Sequence, residues 1–122
     1  MSTAVRVCGV DDLEVDTALR VVVAGTPVAV VQDANGTVHA IGDTCTHGDI
    51  SLAEGFVEEA PSSGRDDGPT LECWAHGSRF SLTSGRPLTL PAYQPVPVFR
   101  VTVEGADVLV DPTPIPAEEL PA

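Results

Sequence analysis

A chain of 122 residues is the length of one domain with a modest core, and its 18 acidic against 6 basic side chains give a formal charge of −12. That balance argues against nucleic acid or an anionic membrane as a partner, since both are polyanions; it suits a basic protein partner or plain surface solvation. No run approaches the ~18 to 20 consecutive apolar residues that cross a bilayer, and an odd count of 3 cysteines argues against a disulfide framework.

Near the N-terminus there is no basic stretch followed by an apolar run, and Asp11, Asp12, Glu14 and Asp16 arrive early. No secretory signal or membrane anchor is therefore expected, and the cytoplasm is the expected compartment. Aromatic residues are few, valine is abundant, and 11 Gly and 11 Pro punctuate the chain at short intervals. Short β-branched runs between turn residues predict an all-β sandwich or barrel. In chain order the predicted strands are 4–7, 20–24, 27–32, 38–41, 55–58, 71–73, 79–81, 98–103 and 107–110. Turn signals separate many of them, at Gly25-Thr26-Pro27, Asn35-Gly36, Ser84-Gly85 and Gly105-Ala106-Asp107; Asn35-Gly36 favours the positive backbone angles of a tight hairpin. Residues 14–18 are expected to form at most a short helical turn. Cys8, on the first strand, reads as a buried thiol, and His39, on the fourth, as a surface residue. The polar stretch 59–69 reads as an exposed loop. The stretch 112–122, with four prolines and no strand pattern, reads as a frayed tail, which leaves one domain over 1–111.

Two Cys/His pairs carry the chemistry. Cys45-Thr46-His47 is followed, after a gap of 25 residues, by Cys73-Trp74-Ala75-His76. Each pair sits just past a predicted strand at the start of a Gly-containing loop, so two facing loops could pinch a metal centre between them. Two thiolates on one iron and two imidazoles on the other is the donor set of one kind of [2Fe–2S] cluster. The same donor types can hold structural zinc, but zinc fingers pair like with like on a short unit, whereas here each strand end supplies one Cys and one His. Once His47 and His76 are committed, only His39 is left, too little for the two His and one carboxylate of a non-haem iron oxygenase. No Gly-x-Gly-x-x-Gly fingerprint supports a flavin or nicotinamide reductase. Trp74, between two ligand candidates, is expected to pack against the neighbouring loop.

The spacing resembles the Rieske pattern, as do Gly48 after the first His and Gly77-Ser78 after the second. So do Val30-Val31, Val38-x-Ala40-Ile41, Leu52-x-Glu54-Gly55, Leu71-Glu72-Cys73, Gly77-Ser78-Arg79-Phe80, Ser84-Gly85-Arg86-Pro87 and Asp107-Val108-Leu109-Val110. From about residue 4 to 111 the chain is similar to a small bacterial Rieske ferredoxin of the dioxygenase type. The resemblance implies a Rieske fold: a β-sandwich with a small cluster-binding subdomain, about 44–85, inserted in it. It implies one Rieske-type [2Fe–2S] cluster, with Cys45 and Cys73 on one iron and His47 and His76 on the other. It also implies that Leu90-Pro91-Ala92 is the proline loop that covers the cluster, and that 59–69 is an insertion, tolerable because loop closure cost grows only logarithmically with length.

Charge counting gives the redox expectation. Two ferric irons, two sulfides and two thiolates sum to about zero with neutral imidazoles, and to about −1 after one-electron reduction; four thiolates would give about −2 and −3, so the two-His centre accepts an electron more easily. By the resemblance, high-potential members brace the loops with an extra disulfide and use a Ser and a Tyr hydroxyl as donors to the sulfurs. Here Ile50 and Ala75 stand at the disulfide positions, Ser78 at the Ser position and Phe80 at the Tyr position. The expected potential lies toward the low end of the Rieske range of about −150 to +300 mV. It should fall with rising alkaline pH as the imidazoles lose their outer protons.

The resemblance implies a soluble, monomeric one-electron carrier with no substrate chemistry of its own. It would pass electrons from a flavin-dependent reductase to a terminal oxygenase or another redox acceptor, with neither nucleic acid nor membrane as partner. The stretches 71–87 and 95–97 resemble even more closely ferredoxins found beside iron–sulfur assembly genes of actinobacteria, and the Arg-only, Ala/Val/Pro-rich composition suits a GC-rich genome, so the resemblance leans toward electron supply for cluster assembly as the context. That leaves an alternative: an accessory to iron–sulfur assembly proteins, its cluster structural or regulatory.

Overall fold

Among the described residues, the valine runs that alternate with turn residues form nine strands in the computed structural model: β1 (Val5–Gly9), β2 (Ala18–Val23), β3 (Thr26–Gln32), β4 (Val38–Gly42), β5 (Phe56–Glu58), β6 (Thr70–Glu72), β7 (Arg79–Ser81), β8 (Val98–Glu104) and β9 (Asp107–Pro114). The structure describes residues 4–34, 36–44, 51–58, 69–74, 79–82, 85 and 96–116. Single 3₁₀ turns occupy Val10–Asp12 and Leu52–Glu54. The strands form two antiparallel sheets, one of six in the order β1-β9-β8-β4-β3-β2 and one of three in the order β5-β6-β7. The fold is all-β, and the large sheet curls until its edge strands β1 and β2 approach each other.

Alternation along three strands divides the interior into two cores. Val28, Ala29, Val30 and Val31 of β3 are all fully buried, the mark of a strand covered on both faces. Val28 and Val30 face the inside of the curled sheet, with Ala40, Phe99, Val108 and Val110. Ala29 and Val31 face the other way, with Ile41, Val98 and the apolar side of the small sheet: Leu71, Phe80 and Leu82. The period of two in β3, β4 and β8 thus glues the small sheet to the back of the larger one.

The small sheet is an insertion between partners. β5, β6 and β7 fall between β4 and β8, which pair directly through Ala40 with Phe99 and Ile41 with Val98. At the base of the insertion, the Gly42 N–H donates to the carbonyl of Pro97 at 2.8 Å. A Cβ at position 42 would lie 2.9 Å from the Pro97 ring, so glycine is what lets the two segments pass.

Three local expectations are corrected. Residues 14–18 make no helical turn: Val15 bridges Gln32, the Asp16 N–H donates to the Gln32 carbonyl at 2.9 Å, and Asp16 takes a left-handed φ of 61°. The edge of β3 captures this stretch before a helix can form. The residues from 112 do not fray at once, because β9 continues to Pro114 and the Ile115 N–H donates to Val98 at 2.8 Å. Alternate residues point the same way, and the Ile115 N–H points to β8, so Pro112 and Pro114 turn their donor-free nitrogens away from β8. His39 is not a surface residue: its side chain is only 10% exposed, and Nε2 lies 2.8 Å from a carboxylate oxygen of the equally buried Asp33.

Candidate metal centre

Of the four expected ligands, Cys73 lies among the described residues. It directly follows β6, the middle strand of the small sheet. Leu71 points inward, paired with Val57 and Phe80, while Glu72 points outward between Phe56 and Arg79. Alternation puts Cys73 on the inward side with Leu71. It is fully buried against Leu52, Phe80 and Leu82, and it makes no disulfide. Cys45, His47 and His76 lie outside the described residues, as do Gly48, Ile50, Ala75, Gly77, Ser78, the 59–68 part of the insertion, and Leu90-Pro91-Ala92. No group of three or more His, Cys, Asp or Glu side chains suited to a metal ion occurs among the described residues.

The ends of the three segments that carry these positions are described, and each segment is closed at its base. Around 45–50, Thr44 forms an antiparallel bridge with Ser51, and the Leu52 N–H donates to the Asp43 carbonyl at 2.6 Å. Around 75–78, Glu72 pairs with Arg79 across β6 and β7. Around 86–95, the Gly85 carbonyl accepts the Val96 N–H at 2.9 Å, and the Gly85 N–H donates to Ser81 at 2.8 Å. Gly85 holds a φ of +73°, and a Cβ there would overlap the Val96 carbonyl oxygen; only glycine closes that base.

A single carboxylate ties the first of these bases to the large sheet. Asp43 is 2% exposed on its side chain. It accepts from Ser51 Oγ at 2.6 Å, from the Ala53 N–H at 2.9 Å and from Arg20 Nε at 3.2 Å. On the outward face of the small sheet, Arg79 donates to Glu72 at 3.0 Å and reaches Glu58 at 2.9 Å. The hydrogen bond to Glu72, then the charge of Glu58, raises the Arg79 pKa above the ordinary guanidinium value and keeps it positive. Trp74 is 51% exposed rather than packed on its neighbours.

Sequence reasoning identified Cys73 and missed the residues that brace its surroundings. Asp43 could have been noticed as an acid two positions before Cys45. The partnership with Arg20, 23 positions earlier, leaves no local trace. Gly55, which sits directly against the strand leading into Cys73, appears in the sequence as the first residue of the predicted strand 55–58 and in the Leu52-x-Glu54-Gly55 stretch, with no sign of the contact.

A buried, unbridged thiol at a strand end, beside loops pinned at their bases, fits an inorganic group gripped from two sides. The all-β fold, with the two Cys/His pairs of the sequence at its strand ends, is the expected setting of an iron–sulfur protein. The Rieske [2Fe–2S] domain family matches residues 3–100, and the chain belongs to that family. Its cofactor is accordingly a Rieske-type [2Fe–2S] cluster. Among curated proteins the chain is 36% identical over 104 residues to the 3-phenylpropionate/cinnamic acid dioxygenase ferredoxin subunit of Escherichia coli, covering 85% of this chain and 89% of that one. Among solved structures it superposes on the ferredoxin of carbazole 1,9a-dioxygenase from Nocardioides aromaticivorans with a TM-score of 0.79 and 34% identity, over 92% of this chain and 100% of that one. It also superposes on a chain from a complex of reduced oxygenase and oxidized ferredoxin in carbazole 1,9a-dioxygenase, with a TM-score of 0.80 and 32% identity, over 95% and 99% of the two chains. No helix among the described residues is long and apolar enough to cross a membrane.

Proposed function

We propose that this protein is a one-electron carrier that takes an electron from a flavin-dependent reductase and delivers it to a terminal oxygenase. In this reading Cys45 and Cys73 hold one iron, and His47 and His76 hold the other. The observation that carries the reading is the near end-to-end match to dioxygenase ferredoxins, 100% of the Nocardioides protein and 89% of the E. coli one. These relatives are oxygenase components, which favours an oxygenase acceptor over an assembly accessory.

When bound, the cluster supplies a site that gains and loses one electron without making or breaking bonds to substrate. The chain's own residues do the rest. Burial of Cys73 keeps water from its sulfur, and the core of Leu71, Phe80 and Leu82 fixes the strand end it sits on. Backbone pairing at Thr44–Ser51, Glu72–Arg79 and Gly85–Val96 fixes the two ends of each segment around the proposed site. We further propose that the protein acts as a monomer in the cytoplasm, without nucleic acid or membrane partners. The unbridged Cys8 and Cys73 suit a reducing compartment.

The test is anaerobic reconstitution followed by stopped-flow mixing. Equal iron and sulfide and a rhombic resonance on reduction are expected. So is reduction by a flavin reductase in well under a second, with reoxidation by a Rieske-type oxygenase. A colourless protein holding one zinc would refute the ligand set; sluggish exchange with every reductase and oxygenase tried would refute the carrier role.

A further inference from the structure

The Asp43 carboxylate does more than cap a turn. Its donors come from three places: Arg20 on β2, Ser51 at the far base of the 45–50 segment, and the Ala53 backbone in the 3₁₀ turn beyond it. Its own backbone adds two bonds, an N–H to the Pro27 carbonyl at 3.1 Å and a carbonyl that accepts from Leu52 at 2.6 Å. The same residue therefore fixes the entry of the segment to its exit, and both to the large sheet. Cys45 and His47 follow it by two and four positions.

The charges are unequally covered. Asp43 is 2% exposed and Arg20 is 52% exposed, so a buried negative charge is offset by a cation that leans in from solvent. A buried charge interacts strongly over short distances, whereas the exposed partner is subject to salt screening.

We propose that Asp43 is the positioning residue for Cys45 and His47, and that Arg20 sets how much of the Asp43 charge the metal site experiences. The proposal rests on the reading that Cys45 and His47 are ligands. Three substitutions in the reconstituted holoprotein separate its parts. Arg20→Met keeps the stem and removes the cation, so reduction becomes harder and the midpoint potential falls, by less at high salt. Asp43→Asn removes the anion and two of its acceptor bonds; the potential rises, and the loosened segment releases iron to a chelator about tenfold faster, the equivalent of one lost charge-assisted hydrogen bond. Ser51→Ala changes no charge; it speeds iron release while leaving the potential near that of the wild type.

Opposite potential shifts in Arg20→Met and Asp43→Asn, with faster release in Asp43→Asn and Ser51→Ala, support the proposal. Shifts of the same sign, no shift, or unchanged release overturn it, because a residue needed only for folding would lower the melting temperature without moving the potential. If Asp43→Asn does not fold, a lowered potential in Arg20→Met together with faster iron release in Ser51→Ala supports the proposal, and the absence of either overturns it. Absence of iron and sulfide from the wild type would instead strike the ligand reading, a failure visible before any variant is made.

Discussion

The Cα of Gly55 passes so close to Glu72 that a Cβ on residue 55 would overlap the Glu72 carbonyl oxygen and come within 3.1 Å of the Leu52 carbonyl oxygen. Gly55 closes the 3₁₀ turn that follows the 45–50 segment, and Glu72 is the residue before Cys73. The contact holds the 3₁₀ turn that follows the 45–50 segment against the strand that leads into Cys73. Gly55 has an ordinary extended backbone, with φ −89° and ψ −156°, so the constraint is space and not conformation.

Gly55→Ala should therefore force the two segments apart. Overpacking at such a contact costs about 1–3 kcal/mol, and here the displaced backbone leads directly to a ligand. The expected outcome is a lower denaturant midpoint for the apoprotein and a reduced yield of reconstituted cluster, read by iron content and visible absorbance. A variant matching the wild type in both would show that the backbone can yield there without consequence.

The potential should lie toward the low end of about −150 to +300 mV. Phe80, which stands where high-potential relatives have a Tyr donor, is fully buried beside Cys73 and has no hydroxyl to offer. Phe80→Tyr should raise the midpoint if its hydroxyl reaches a sulfur, and should lower stability by about 1–3 kcal/mol if the hydroxyl stays unpaired in that core. A redox titration of the wild type near the top of the range would contradict the expectation that the missing disulfide and Tyr donor keep it low.

Removal of a proposed ligand should abolish the chromophore. His47→Ala and His76→Ala each leave one iron a nitrogen short, and Cys45→Ala and Cys73→Ala leave the other a sulfur short, so none should retain the visible bands after anaerobic reconstitution. Retention of the full spectrum in any of the four would remove that residue from the set.

The strands were legible because their cues are local: β-branched runs that end at Gly, Pro or Asn. The two Cys/His pairs stand out for a similar reason, since Cys-x-His and Cys-x-x-His are short patterns with few other uses. What escaped depends on partners distant in sequence. The helical cue at residues 14–18 loses to Gln32, a strand away. His39 is drawn from the surface because the β3–β4 hairpin sets it beside Asp33, whose other oxygen holds the Thr37 N–H at 3.0 Å. The prolines after residue 111 look like strand breakers, yet Pro112 and Pro114 are tolerated because their nitrogens, with no proton to donate, face away from β8. Nothing local in the sequence marks Gly42, Gly55 and Gly85 as points of close approach, yet each is required by a segment that passes close by, at Pro97, Glu72 and Val96.

Cys8 should be chemically quiet and dispensable for the cluster. It is 6% exposed on β1, opposite Val108. Burial first, and the charge of Asp12 second, push its thiol pKa up, while Arg6 pulls weakly the other way. Near neutral pH the thiolate fraction is then smaller than for a free thiol, so alkylation of the folded holoprotein by iodoacetamide should be slow and should accelerate sharply on unfolding. The sign for stability follows from the raised folded-state value. The neutral thiol's contribution is fully present below the ordinary thiol pKa and is lost as pH rises through the folded one. Cys8→Ser should leave iron content and potential unchanged and lower the unfolding free energy by about 1–3 kcal/mol, because it buries a hydroxyl among valines. Rapid alkylation of the native protein at pH 7, or bleaching of Cys8→Ser, would mean that the thiol is neither sealed in the curled sheet nor separate from the metal site.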